Sequence, residues 1–428
     1  MIVYNLFPLL AGRFPAWVPH IERAAAMGFD WLFVNAVHRP GASGSVYSIA
    51  SYFDLNPALI DPADPRAGED QLRSVIAEGR ARGLRPMVDL VIDHCAADSE
   101  LVSEHPEWLA LDSAGELIHP SFEEGGKTVV WGDVAQFDHR GTGDPGGLYE
   151  YYLAVVRYLL GLGFEGFRCD AAYRVPAELW RRLIADTKTE RSDTVFVAET
   201  LGCTPWSTLA TASAGFDYVC NSSKWWDFRS PWLLEQRELI GDHVSSIGFP
   251  ETHDTPRLAD EQGGNPDALK LWYLFTALFS AGSLMPIGFE FGFRRSLHVA
   301  DSRPEDWEAP SVDLCQFITA VNRLKASQPI FSEESPVMAL PSPNPSVLIM
   351  WRGSARYGQE ALLFFNTDFW RDQYVEVGSL RAFVQSDRPL VDVSPEFQMD
   401  VVAVTPFSYL LGPGQGLVLV TPPSLLNS

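Results

Sequence analysis

The chain has 428 residues, a formal net charge of −23 and a pI near 4.7. That balance argues against a nucleic-acid partner, because neutralising phosphates needs a basic face and no Lys/Arg cluster occurs. The length exceeds one ordinary compact domain and suits a large domain followed by a smaller one. Cys95, Cys169, Cys203, Cys220 and Cys315 have neither zinc-site spacing nor the density of a disulfide scaffold, so reduced thiols are expected. No apolar stretch approaches the ~20 residues of a membrane span, and residues 1–10 read as a first strand rather than a leader. A cytoplasmic location, with no membrane association, is the expectation.

Apolar runs at 2–8, 31–37, 85–92, 166–169, 195–198, 216–221, 247–250 and 284–289 read as strands. Between them lie helical segments such as 17–27, 70–82, 149–160, 176–186 and 267–279. Strand-led units in this number predict an α/β fold, a (β/α)8 TIM barrel. One connection departs from the pattern: from Cys95 to about Arg140 the third strand runs into Pro-, Gly-, His- and Trp-rich sequence, and connections that long are usually functional. After about Gln328, short alternating runs at 346–351, 361–365, 373–377, 401–405 and 416–420 predict a C-terminal antiparallel β-sandwich. The expected domains are therefore 1–94 with 141–328 for the barrel, 95–140 for an insertion after strand 3, and 329–428 for the sandwich.

Three barrel strands end in acidic strings: Gly166-Phe167-Arg168-Cys169-Asp170, Val195-Phe196-Val197-Ala198-Glu199, and Glu251-Thr252-His253-Asp254. Strand ends of a closed barrel converge on one pocket, where a carboxylate is costly for a core and useful for chemistry. Retaining cleavage of a glycosidic bond needs one carboxylate to attack the anomeric carbon and one protonated carboxyl to donate to the leaving oxygen. Asp170 suits the first role and Glu199, after an apolar strand, the second. Strand alternation puts Arg168 on the side of Asp170, where its guanidinium can hold the carboxylate ionised, and turns Cys169 toward the helix layer. Asp254, beside His253, suits hydrogen bonding to sugar hydroxyls.

With these strings, Asp89-Leu90-Val91-Ile92-Asp93-His94 completes a set that resembles the α-amylase superfamily, glycoside hydrolase family 13. Gly28-Phe29-Asp30-Trp31-Leu32 is similar to that family's second-strand motif and Met285-Pro286-Ile287-Gly288-Phe289-Glu290 to its last-strand motif. The resemblance covers essentially the whole chain, with 95–140 as domain B and the sandwich as domain C. It implies Asp170 as nucleophile, Glu199 as acid/base and Asp254 as transition-state stabiliser. It further implies Arg168, His94 and His253 as contacts to the reacting glucosyl unit, Asp89 as the group that orients Arg168, and Tyr47, paired with Tyr52, as a stacking platform. The implied substrate is an α-glucan or α-glucoside, cleaved by hydrolysis or transglycosylation.

Residues 98–108 and 44–49 resemble the maltosyltransferases that extend glucans from maltose 1-phosphate. In that group an Asn follows the nucleophile, where this chain has Ala171, and a lysine-bearing loop helps to hold the phosphate, where residues 37–45 offer Arg39 alone. The favoured reading is therefore an ordinary α-glucoside or α-glucan, with the maltosyltransferase as the alternative and a non-catalytic carbohydrate-binding or partner subunit as a remote third. Trp131, Tyr173, Trp206 and Trp225-Trp226 are candidate sugar platforms, because aromatic faces stack on pyranose rings. Glu251 and Arg257 could line outer subsites or pair with each other. Many relatives bind calcium through the Asn that Asp93 replaces; Asp112, Glu123, Glu124, Asp133 and Asp138 supply acids without ligand spacing, so no metal and no organic cofactor are expected, with calcium left as an option. Oligomeric state is not legible.

Overall fold

The computed structural model describes residues 1–124 and 127–424, without the side chains of residues 122–124. A closed barrel of parallel strands is formed by β1 (Ile2–Leu6), β2 (Trp31–Val34), β3 (Arg85–Leu90), β4 (Gly166–Cys169), β5 (Val195–Ala198), β6 (Tyr218–Cys220), β7 (Ser245–Gly248) and β8 (Gly282–Pro286). Each strand pairs with its sequence neighbours, and β1 closes on β8. The principal helices alternate with them: α1 (Val18–Ala26), α2 (Gly68–Ala81), α3 (Pro145–Leu162), α4 (Ala177–Glu190), α5 (Pro205–Ala212), α6 (Trp232–Gly241), α7 (Pro266–Phe279) and α8 (Cys315–Ser327).

Alternation along the strands sorts the side chains. Val3, Trp31, Phe33, Met87, Val197, Cys220, Ile247, Phe249 and Leu284 fill the barrel interior, while Phe167, Cys169, Phe196 and Ala198 face the helices in the larger core. Asp144 caps α3 by accepting from the Gly147 amide, and Gly163 ends that helix at φ 113°, a backbone state open to glycine. Helix α7 is apolar on nearly every face because the C-terminal domain covers its outer side, with Phe275 5.8 Å edge-on to Phe365.

Two excursions rise at the C-terminal ends of the strands. After β2, His38–Pro40 pairs with Ile49–Leu55, an antiparallel ribbon whose connecting loop carries Tyr47; the sequence had suggested only a longer second strand. After β3, His94–Ala96 pairs with Val134–Gln136, and Ser121–Glu124 pairs antiparallel with Lys127–Val130. The last two barrel strands begin two residues earlier than the apolar runs suggested, and the last ends at Pro286, before Gly288, at φ 93°, leads into the turn Phe289–Phe291. No helix among the described residues is long and apolar enough to cross a membrane.

The C-terminal domain packs a five-stranded antiparallel sheet against a two-stranded one. In chain order its strands are β9 (Val337–Leu340), β10 (Val347–Ser354), β11 (Gln359–Asn366), β12 (Gln373–Val377), β13 (Val391–Asp392), β14 (Phe407–Leu411) and β15 (Gly416–Val420). The larger sheet runs β9-β10-β11-β15-β13, and β12 pairs with β14. Val347, Ile349, Leu362, Phe364, Leu417 and Leu419 of one sheet meet Val375, Phe407 and Leu411 of the other. The expected strand at 401–405 is irregular instead, with Val401 82% exposed. Pro406 cannot donate to a ladder, so pairing with β12 starts at Phe407.

A buried ion pair ties this domain to the base of the barrel. Arg237 of α6 reaches Glu334 at 2.5 Å, and Glu334 also accepts from Ser246 and Ala281 on or beside β7 and β8. Removing one member of such a pair strands the other charge. Glu334→Ala should therefore cost about 3–5 kcal/mol, read as a lowered denaturation midpoint; an unchanged midpoint would show that the pair is inert.

Candidate active site

Arg168, inward on β4, organises the barrel mouth. Its Nη1 lies 2.9 Å from Asp89 Oδ1 on the adjacent β3 and 2.5 Å from Asp170 Oδ1, directly after β4. Its Nη2 lies 3.5 Å from Asp254 Oδ2 and 4.0 Å from Glu199 Oε2. Parallel register sets Arg168 beside Asp89 and Val197, which is why strands distant in sequence deliver their terminal groups to one guanidinium. Asp170, Glu199 and Asp254 are thus brought together, as are Asp89, His94, His253 and Tyr47.

One guanidinium cannot neutralise four carboxylates, so a proton must stay on the group with the least compensation. Burial raises both Asp89 and Glu199 to about 7, but Asp89 takes the direct Arg168 contact at 2.9 Å and the Tyr47 hydroxyl at 2.7 Å, which leaves Glu199, 4.0 Å from the guanidinium, as that group. Burial, with Asp170 and Asp254 nearby, pushes its carboxyl up to about 7, against Arg168 and the backbone amide of Leu201. The Ala171 amide donates to its Oε2 at 2.8 Å, and the Leu201 amide donates to Oε1. Ala171 sits at φ 41°, a left-handed state uncommon for alanine, and this turn aims the amide at Glu199. Asp170 is raised by burial, while the Arg168 contact opposes protonation.

Tyr47 is fixed through its hydroxyl, which donates to Asp89 Oδ2 at 2.7 Å and accepts from His253 Nε2 at 2.6 Å. The two rings lie parallel, 5.6 Å apart. His253 Nδ1 is buried without a hydrogen-bond partner, and burial next to Arg168 holds its imidazole well below the ordinary range, so the ring is neutral with its proton on Nε2. Sequence reasoning missed Asn35, which donates to Tyr47 Oη at 2.8 Å and to Asp89 at 3.3 Å and is itself held by Asn5. The available signal was an amide inside the apolar run Val34-Asn35-Ala36-Val37.

A cavity of about 370 Å³ opens beside Asp170, Asp254, Tyr47 and His94, and Trp131, Ser43, Ser45 and His298–Ala300 line its far side. Its wall is stitched together: Val46 donates to the Val299 carbonyl at 3.0 Å and Ser48 Oγ to the Asp133 carbonyl at 2.9 Å. Glu199 lies outside this lining. Trp131 sits under the Arg174 guanidinium, 5.2 Å from its ring centre, while Tyr173 lies in the turn Ala172–Arg174 and does not line the cavity. Trp206 and Trp225 are exposed, but Trp226 is core, stacked on Phe275 at 5.2 Å. Glu251 and Arg257 form a buried ion pair at 2.7 Å rather than an outer subsite.

Among the described residues, these acids do not gather into a calcium site. Asp112 and Asp138 accept from their own loop amides, and the side chains of Glu123 and Glu124 lie outside the described residues. Asp93 turns to His94, at 2.7 Å. Asp93, His94 and Asp170 bring one atom each within 4.8 Å, an imidazole among them, which falls short of the six to eight oxygens that calcium takes.

Residues 2–110 match the model of the glycogen debranching enzyme glucanotransferase domain. The chain is 28% identical over 373 residues to the α-1,4-glucan:maltose-1-phosphate maltosyltransferase of Burkholderia pseudomallei, covering 83% of this chain and 32% of that protein. The Mycolicibacterium smegmatis enzyme of the same name is 25% identical, with 74% and 48% covered. This chain therefore spans about a third to a half of the length of these relatives. Among solved structures, the maltogenic α-amylase AmyB of Thermotoga neapolitana superposes with a TM-score of 0.77 at 19% identity, over 99% of this chain and 98% of that one. An α-amylase from Lactobacillus plantarum gives 0.77 at 18%, over 98% of each. In fold and in sequence the chain resembles the α-amylase superfamily, glycoside hydrolase family 13, with a likeness to its maltosyltransferases.

Proposed function

We propose that this chain is a retaining enzyme acting on α-glucosides or α-glucans through a covalent glycosyl–Asp170 intermediate. The observation that carries the reading is the unequal treatment of two carboxyls around Arg168. Asp170 is in direct contact with the guanidinium and suited to attack, whereas Glu199 is buried, 4.0 Å from it, and raised to about 7.

Asp170 attacks the anomeric carbon as Glu199 gives its proton to the leaving oxygen. Glu199, now a carboxylate accepting from two backbone amides, then withdraws the proton of an acceptor hydroxyl, either water or another sugar. Asp254 hydrogen-bonds the ring hydroxyls of the reacting unit, while His253 holds the Tyr47 hydroxyl and the Tyr47 face carries the apolar side of the sugar. The cavity is lined by Asp170 and Asp254 but not by Glu199, so it takes the glycone.

The second reading is transfer of a maltosyl unit from maltose 1-phosphate to a glucan, favoured by the names of the sequence relatives. Against it stand Ala171, whose methyl offers a phosphate no hydrogen bond, and Arg39, paired with Asp54 at 3.3 Å. Parallel incubations separate the two. Maltooligosaccharide alone should be shortened or redistributed in length, and maltose 1-phosphate with maltooligosaccharide should release no phosphate. Phosphate release with growth by pairs of glucose would replace the first reading by the second.

A further inference from the structure

Asp93 and His94 form a pair that the reaction as drawn does not explain. Asp93 is 2% exposed, and neither of its carboxylate oxygens has a hydrogen-bond donor aimed at it. The charged partner beside it is the His94 ring, with Nδ1 2.7 Å from Oδ1 in a contact out of line for a hydrogen bond. That ring is held in place, since His94 opens the short strand His94–Ala96 and its carbonyl accepts from Tyr52 Oη at 2.8 Å.

The other ring nitrogen fixes the proton count. His94 Nε2 lies 3.0 Å from the carbonyl oxygen of Tyr47, and a carbonyl only accepts, so Nε2 carries a hydrogen. A bare Nδ1 would set the negative end of the ring 2.7 Å from a buried carboxylate oxygen that no donor compensates. A proton on one of the two groups removes that repulsion. An imidazole binds it about two orders of magnitude more tightly than a carboxyl does, and Asp170 lies within 4.8 Å as a second negative charge, so the ring keeps it.

We propose that Asp93 is a positioning residue that holds His94 as an imidazolium beside Asp170, so that the nucleophile faces two fixed cations, Arg168 and His94. The inference rests on the proposed role of Asp170. The ionisable groups around the ring are Asp93 on its own segment, Asp170 with its partner Arg168 from β4, and Tyr47 and Tyr52 from the ribbon after β2. Behind Asp93 stand His139 and Tyr152, in contact with each other at 3.2 Å. Burial works against a charge on His94, yet Asp93 and then Asp170 raise it to about 9, in line with the close contact of ring and carboxylate.

The effect on catalysis has a definite sign. Asp170 must be ionised to attack, and a cation lowers its proton affinity; without that cation the acid limb of kcat/KM moves to higher pH. In Asp93→Asn, an amide faces Nδ1, His94 becomes neutral near pH 7, and the acid limb should rise by about one pH unit or more. The limb on the alkaline side, set by Glu199, should stay where it is. Asp93→Glu should restore the parent profile.

The test pairs that profile with ¹⁵N NMR of histidine-labelled protein, with the His94 signal assigned from a His94→Gln variant. The parent ring should be doubly protonated at pH 7 and titrate near 9, and the Asn variant should titrate at least two pH units lower. A neutral His94 in the parent, or an Asn variant with titration and acid limb both unchanged, would overturn the proposal. The NMR arm needs no turnover, so loss of the proposed glycosidase reaction would be seen separately from loss of the dyad.

Discussion

Asp170→Asn should abolish turnover of any α-glucoside that the parent protein cleaves, lowering kcat/KM by roughly four to six orders of magnitude, the scale on which covalent nucleophiles are lost. The amide keeps the shape of the side chain but cannot form the glycosyl ester. Stability should move the other way. Asp170 is one of four carboxylates around a single guanidinium, and neutralising one relieves like-charge repulsion that a purely structural cluster would not retain. The expected result is near-total loss of activity with an unchanged or raised melting temperature. A variant that keeps more than a few per cent of activity would remove Asp170 from its role, and one that unfolds would make the carboxylate part of the scaffold.

The second large effect belongs to Glu199. Glu199→Gln should slow cleavage of unactivated glucans by about 10²–10⁴-fold, the usual contribution of a positioned acid. With an aryl glycoside, whose leaving group needs little protonation, the first step survives and the second, which needs a base, does not. A burst of phenol should appear, followed by slow turnover, and intact mass should show a glycosyl adduct that is lost when Asp170 is also replaced. Glu199 works as an acid only when protonated, so parent activity should fall as pH rises through about 7. The Gln variant should lack that limb. Stability follows the same sign: a carboxyl raised on folding favours the folded state below its unfolded pKa and loses that advantage as pH climbs toward 7. Steady-state turnover at the parent rate in Glu199→Gln would show that another group supplies the proton.

The barrel and the acidic cluster could be read from the chain because both are written locally. Apolar runs of strand length end in Asp170 and Glu199, and barrel closure gathers such ends whatever lies between them. Arg168 could be placed for the same reason, since alternation over two residues sets its direction. What escaped depends on long-range contacts. Asn35 acquires meaning only once Tyr47 and Asp89 stand against it, and the cavity wall exists because Val46 meets Val299, more than 250 positions later in the chain. Trp226 looked like a platform beside Trp225, but alternate packing sends it under α7 against Phe275. The valine-rich segment 401–405 has the composition of a strand, and Pro406 hands the pairing to the next residues.

The backbone turn at Ala171 separates two properties that active sites usually entangle. Its left-handed conformation, rather than its methyl group, directs the amide at Glu199, and glycine or asparagine occupies that conformation with less strain than alanine. Under the proposed roles of Asp170 and Glu199, the side chain between them can therefore be retuned, over generations or at the bench, without re-aiming Glu199, which leaves preference for the departing group free to drift while the bond-breaking apparatus stays intact.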